Sequence, residues 1–214
     1  MTKQKFLLLL FGFCSLFDVY GQTTIYTCNG KYRIELPNKI ELQASELNNI
    51  KQVRQGNRTH VNITTQSGHI TFQQKGLNTD ERAAYNKYCR VIIEYFKEDK
   101  NDPVFGKGDQ IVIDKDIFYA VTETVKESCR RSGTPFMKLI SIQSITINGF
   151  PVLYYSYRRK GWEGKQPPVI VNVYRIFNRY ESVTLTLSYR EAEREMWKSI
   201  HDNIINSFNF TWKY

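Results

Sequence analysis

The chain has few of the residues from which catalytic and metal-binding motifs are built. Of its 214 residues, 4 are Cys and 3 are His. No two cysteines stand in C-x-x-C spacing, so zinc-ribbon and thioredoxin-like chemistry lack their ligand set. His60 and His69 fall on neighbouring predicted strands, but no Asp, Glu or Cys is spaced to complete a metal site with them. His201 falls at the margin of a predicted helix's apolar stripe. No metal is expected. There is no G-x-S-x-G, so the signature of a Ser-His-Asp hydrolase is missing. Phe105-Gly106-Lys107-Gly108 is not followed by the Lys-Ser/Thr of a phosphate loop and does not match the dinucleotide fingerprint. No cofactor is expected. A glycosidase needs two opposed carboxylates, and the scattered acidic residues do not say which would converge. No catalytic residue is therefore assigned. Internal repeats and low-complexity tracts are absent as well.

One long apolar run is present, and it stands at the start. Lys3 and Lys5 precede a run from Phe6 to Phe17 broken only by Gly12, Cys14 and Ser15. Val19 and Gly21 are small enough for the positions three and one before a cleavage site. This is the layout of a secretory signal peptide. The run is shorter than the ~20 residues that span a bilayer, and no later segment approaches that length. Phe13 is too bulky to precede a lipidated Cys14, so a cleaved signal is favoured over a lipid anchor. The expected product is a single domain, residues 22–214, beginning at Gln22 and exported to the periplasm or the medium.

Removing Lys3, Lys5 and Asp18 with the leader lowers the net charge from +9 to +8. Such a balance favours anionic partners or surfaces and says nothing about fold. Three cysteines remain, Cys28, Cys89 and Cys129, an odd number that leaves at least one unpaired. Buried free thiols are the preferred reading, with one disulfide as the alternative that export would permit. Asn57, Asn62 and Asn209 each begin an Asn-x-Thr sequon, which matters only where the host glycosylates exported proteins.

The periodicity predicts strands over 24–28 and 31–36 around Asn29-Gly30, and another over 40–43. Ser45 can cap a short helix carrying Leu47, Ile50 and Val53. Residues 60–65 and 69–74 read as a hairpin around Gln66-Ser67-Gly68. A helix opening at Thr79 or Asp80 is predicted from the spacing of Tyr85, Tyr88, Cys89, Ile92, Tyr95 and Phe96. Residues 100–108 read as a surface loop. A second helix begins near Asp114, lines one side with Ile117, Phe118, Val121, Val125 and Cys129, and stops at Gly133. Strands over 137–147 and 150–159 flank Asn148-Gly149, and strands over 169–177 and 182–189 follow. A last helix opens at Glu191 and carries Met196, Trp197, Ile200 and Ile204. The hairpins imply a mainly antiparallel sheet with helices on its faces, an α+β layered domain.

The order resembles the PsbP/DcrB-like α/β/α sandwich family. The resemblance rests on Tyr32-Arg33-Ile34-Glu35-Leu36-Pro37, on Ile145-Thr146-Ile147-Asn148-Gly149-Phe150-Pro151, on the strand from Val169, and on Ile204-Ile205-Asn206-Ser207-Phe208. It covers most of residues 22–214 and implies a fold and a mainly non-enzymatic role, as an exported accessory subunit, envelope lipoprotein or effector chaperone. It transfers no binding residue, and the missing lipidation cysteine departs from the lipoprotein branch.

One stretch concentrates aromatic and basic residues: Tyr154, Tyr155, Tyr157, Arg158, Arg159, Lys160, Trp162 and Lys165. Tyr, Trp and Arg are the types enriched at binding hot spots. Tyr155, Tyr157, Arg158, Arg159, Lys160 and Trp162 are the candidate binding set, weighed against strand tyrosines that simply pack under helices. The leading expectation is an exported, non-enzymatic accessory or binding module that recognises another envelope or secreted protein. A basic binder of an anionic glycan, lipid headgroup or nucleic acid is the alternative, and a hydrolase with an unrecognised site a further one.

Overall fold

A computed structural model describes residues 23–211 apart from 46–49, 56–57, 66–67 and 101; for residues 50–55, 58 and 162 it describes the backbone alone. The leader, its Cys14, the predicted terminus Gln22 and the sequon at Asn57 lie outside the described residues. Two sheets carry the fold. The first has the order β12-β2-β1-β5-β4, from Asn209–Phe210, Tyr32–Pro37, Thr23–Cys28, Arg58–Ile63 and Ile50–Gln55. Its β1–β5 pair is parallel and the others are antiparallel. The second has the order β3-β6-β7-β11-β10-β9-β8, from Ile40–Leu42, His69–Gln74, Cys89–Lys97, Glu181–Arg190, Val169–Asn178, Phe150–Arg159 and Phe136–Ile147. All of its pairs are antiparallel. Helix α1 spans Lys115–Arg131 and α2 spans Arg194–Ser207.

Local chemistry explains several of these elements. Asn148 and Gly149 take φ of 49° and 84° at the β8–β9 turn, a left-handed pair that Asn-Gly adopts at little cost. Asn148 Nδ2 also donates to the Phe208 carbonyl at 2.5 Å, tying the turn to the end of α2. At the start of α1 the Asp114 carboxylate accepts from the Ile117 N–H at 2.8 Å. At its end Gly133 turns left-handed, φ 64°. There Thr134 N–H reaches the Cys129 carbonyl at 3.0 Å and Gly133 N–H the Arg130 carbonyl at 3.3 Å, closing a Schellman motif.

Three predicted elements are different in the structure. Residues 89–97 form strand β7, not a helix, after a short 3-10 turn over Arg82–Asn86. Cys89, Val91 and Ile93 are wholly buried while Tyr85 and Phe96 are 55% and 43% exposed, so the period is two. The β-branched run Val91-Ile92-Ile93 fits a pleated surface between two partners. The short helix predicted after Ser45 gives way to β4, which pairs with β5; Leu47 lies outside the described residues. Strands β5 and β6 do not form a hairpin, because they belong to different sheets. Strand β6 is buried on both faces from Ile70 to Gln74, which an interior position between β3 and β7 supplies and a two-stranded ribbon would not.

The main core joins the inner faces of both sheets to α2. Ile34, Leu36, Ile63, Phe72, Leu185 and Leu187 meet there with Trp197 and Ile204 of α2. Each such side chain contributes roughly 1.5–3 kcal/mol relative to exposure. On the other face of the seven-stranded sheet, α1 buries Val121, Val125 and Cys129 against Tyr157, Val169, Val171 and Val173. Phe118 is 50% exposed and Met196 41%, so neither lies on its helix's buried face, whereas His201 is buried at 4%. Among the described residues no helix is long and apolar enough to cross a membrane.

Candidate functional site

Register turns the outer face of the seven-stranded sheet into a polarity gradient. One row across it runs Gln73, Arg90, Ser188, Val171, Tyr157, Leu139. The next runs Thr71, Ile92, Thr186, Val173, Tyr155, Ile142. The apolar end, on β10, β9 and β8, is covered by α1. The polar end, on β6, β7 and β11, is not. Between the margin of α1 at Thr124, Ser128 and Ser132 and this polar half, where Arg90 is exposed while Thr71, Gln73 and Ser188 are buried, lies a groove of about 480 Å³. A hollow of about 530 Å³ adjoins it and shares Tyr88, Arg90, Ser132 and Arg159 as lining residues.

The groove is rich in donors. Arg159 donates to Tyr88 Oη at 3.2 Å and to the Lys160 carbonyl at 3.1 Å. Ser188 Oγ donates to Tyr88 Oη at 3.4 Å. Arg175, Arg158 and Arg190 are each held by a carboxylate, Glu98, Glu191 and Glu193 respectively. Arg90 and Arg159 have no carboxylate within ion-pair distance among the described residues. Burial pushes the Tyr157 phenol well up, and Cys129 adds to this more than Arg159 offsets it. Burial also raises Tyr155, against Arg175. Both phenols therefore stay neutral. The groove offers two guanidinium groups and several hydroxyls to an anionic group.

Strand alternation divides the predicted binding set. Tyr155, Tyr157 and Arg159 line the groove. Tyr154 and Arg158 point to the opposite face, where Tyr154 Oη donates to Asn172 Oδ1 at 3.0 Å and Arg158 pairs with Glu191 at 2.5 Å. Lys160 is exposed, and Lys165 pairs with Glu163 at 2.7 Å. The Trp162 side chain lies outside those described. A period of two puts successive residues on opposite faces, so a contiguous aromatic-basic run on one strand cannot form one surface. Tyr88 and Arg90 join the groove instead. The alternation of Cys89, Val91 and Ile93 was the signal that would have placed them on a strand.

The histidines do not converge. His60 sits on β5 in the smaller sheet, and His69 sits on β6, where it contacts Glu94 at 3.6 Å and Thr71 Oγ1 at 3.0 Å. No cluster of three or more His, Cys, Asp or Glu able to hold a metal occurs among the described residues. His201 Nε2 lies 3.3 Å from Cys89 Sγ in the core. That contact has the spacing of a nucleophile and its base but not the charge. Burial, with a contribution from Glu193, raises the Cys89 thiol far above its ordinary range, and burial lowers His201 to about 4. A neutral thiol beside a neutral imidazole is not an activated nucleophile. Cys28, Cys89 and Cys129 are all free and buried.

No protein-family model matches the chain. A tryptophan synthase alpha chain from Caldicellulosiruptor saccharolyticus is 29% identical over 130 residues, 55% of this chain and 49% of that one. The chain thus spans about half the length of that curated relative. The fold is similar to that of the PsbP-like group. The cyanobacterial PsbP of Synechocystis sp. PCC 6803 is 17% identical, with 89% of this chain and 93% of that chain covered at a TM-score of 0.49. LpqN, involved in cell envelope biogenesis of Mycobacterium tuberculosis, is 10% identical, with 89% and 91% covered, also at 0.49. Likeness at this level concerns fold alone and says nothing of partner or activity.

Proposed function

We propose that this chain is an exported, non-catalytic binding module that recognises another exported or envelope protein through the groove beside α1. The observation that carries the reading is the pair Arg90 and Arg159, which face that groove with no carboxylate partner among the described residues. A guanidinium without a carboxylate at the rim of a groove is poised for a carboxylate of the other molecule. Tyr88 and Tyr157 supply the aromatic area that usually accompanies such an anchor. The leader-like residues 1–21 support export.

The test is site-specific. A photo-crosslinker introduced at Ser128, on the exposed side of α1, should capture a defined envelope or secreted protein. Arg90→Glu with Arg159→Glu should abolish that capture while leaving the melting temperature near wild type. Capture of the same protein by the charge-reversed double variant, or no capture by folded bait, would reject the reading.

A second reading rests on the net charge of +8 carried by residues 22–214. It makes the ligand an anionic glycan, lipid headgroup or nucleic acid. Binding to such a polyanion must fall steeply and log-linearly with salt, whereas a single desolvated Arg–carboxylate contact depends on salt far less.

A further inference from the structure

A second cavity, of about 390 Å³, opens on the opposite face of the seven-stranded sheet beside α2. Ile147, Phe150 and Val152 at one end of β8 and β9 belong to the main core, whereas Lys138, Ile140 and Tyr154 toward the other end line the cavity. The size falls within the roughly 300–1,000 Å³ of small-molecule sites.

Its floor is aromatic. The Tyr154 and Tyr174 rings lie 4.8 Å apart between centroids at 36°. Asn172 accepts from Tyr154 Oη at 3.0 Å and is hydrogen-bonded to Tyr189 as well, so the phenols are fixed in place. His201 forms part of the wall and is only 4% exposed. Its Nε2 is taken up by Cys89 Sγ, and its Nδ1 is buried without a hydrogen-bond partner. That nitrogen has almost no accessible surface, so His201 bounds the cavity without offering it a hydrogen bond.

The rim carries unbalanced charge. Lys198 pairs with Asp202 at 2.7 Å and Glu191 with Arg158 at 2.5 Å. Lys138 and Arg194, both exposed, have no carboxylate within ion-pair distance among the described residues. Two cations and an aromatic floor define a complementary ligand: a ring to lie against the tyrosines and a carboxylate for the rim.

We propose that this cavity binds a small ring-bearing carboxylate, its ring against Tyr154 and Tyr174 and its carboxylate at the rim cations Lys138 and Arg194. The site is separate from the groove beside α1 and does not depend on it.

The experiment titrates the full chain with sodium galacturonate and with sodium 4-hydroxybenzoate, using galactose and phenol as neutral counterparts. Calorimetry and the imidazole resonances of His201 are the readouts. At least one carboxylate should bind saturably, shift His201, and exceed its neutral counterpart by about tenfold or more, a difference of about 1.4 kcal/mol. Whichever carboxylate binds more tightly distinguishes an acidic sugar from an aromatic acid. Lys138→Ala with Arg194→Ala should weaken binding by a similar factor, and Arg90→Glu with Arg159→Glu should leave it unchanged. The proposal is overturned by no saturable binding of either carboxylate, by equal binding of the neutral compounds, by an unmoved His201 signal, or by full affinity in the Lys138/Arg194 variant.

Discussion

At His201, burial acts on a single proton. The imidazole is enclosed by Cys89, by the edge of Tyr189 at 5.2 Å between ring centroids and by the rest of the core, and desolvation lowers it from 6.5 to about 4 against a smaller opposing effect of Asp202. In the unfolded chain the same ring takes up a proton near 6.5. Between these values the unfolded state binds more protons, so stability is fully present above about pH 6.5 and falls as the pH drops toward 4. The loss from this residue is on the order of 3 kcal/mol. Urea denaturation at a series of pH values should show that slope, and His201→Gln should flatten it whatever its effect on absolute stability. The cysteines give a second prediction at this scale. Cys28, Cys89 and Cys129 are each at most 2% exposed, and burial pushes Cys28 up to about 12. Alkylation should be negligible in the native protein and rapid in denaturant; fast reaction of any of the three under native conditions would contradict the burial described.

Among the elements, α1 is the one whose ends are specified locally. Removing its cap by Asp114→Ala should cost about 1 kcal/mol, measured as a lower denaturation midpoint with an unchanged slope. The turn at Asn148-Gly149 was legible for the same reason, since the residues that tolerate positive φ stand where the chain reverses. Strand β7 was not. Tyr85, Tyr88, Cys89, Ile92, Tyr95 and Phe96 satisfy a period of 3.6, while Cys89, Val91 and Ile93 satisfy a period of two. The choice is made by pairing on either side, with β6, which precedes it in the chain, and with β11, which is remote from it in sequence. The helical period hides Tyr88 and Arg90, and with them one of the two guanidinium groups of the groove beside α1.

For the whole molecule, the two apolar clusters are unequal. The main core unites both sheets with α2, whereas α1 rests on a smaller cluster of its own. Hydrogen exchange should therefore find the amides of α1 opening at lower free energy than those of β7 and β11, which sit inside the sheet. Equal protection would mean that α1 and the sheet unfold as one unit.

Sequence alone determined the parts that depend on neighbouring residues. These are the Asn-Gly hairpins, the start of α1 at Asp114 and its stop at Gly133, the stripe of Trp197, Ile200 and Ile204 on α2, and hence the α+β layered architecture. Turn, cap and helix-face preferences act over a few residues and leave a readable pattern. Tertiary structure alone decided which aromatic and basic residues share a surface. Tyr155, Tyr157 and Arg159 were separated from Tyr154 and Arg158 by the pleat, and joined to Tyr88 and Arg90 by strand register. That register is set by pairing between segments up to about a hundred residues apart, a distance over which composition and spacing carry no signal.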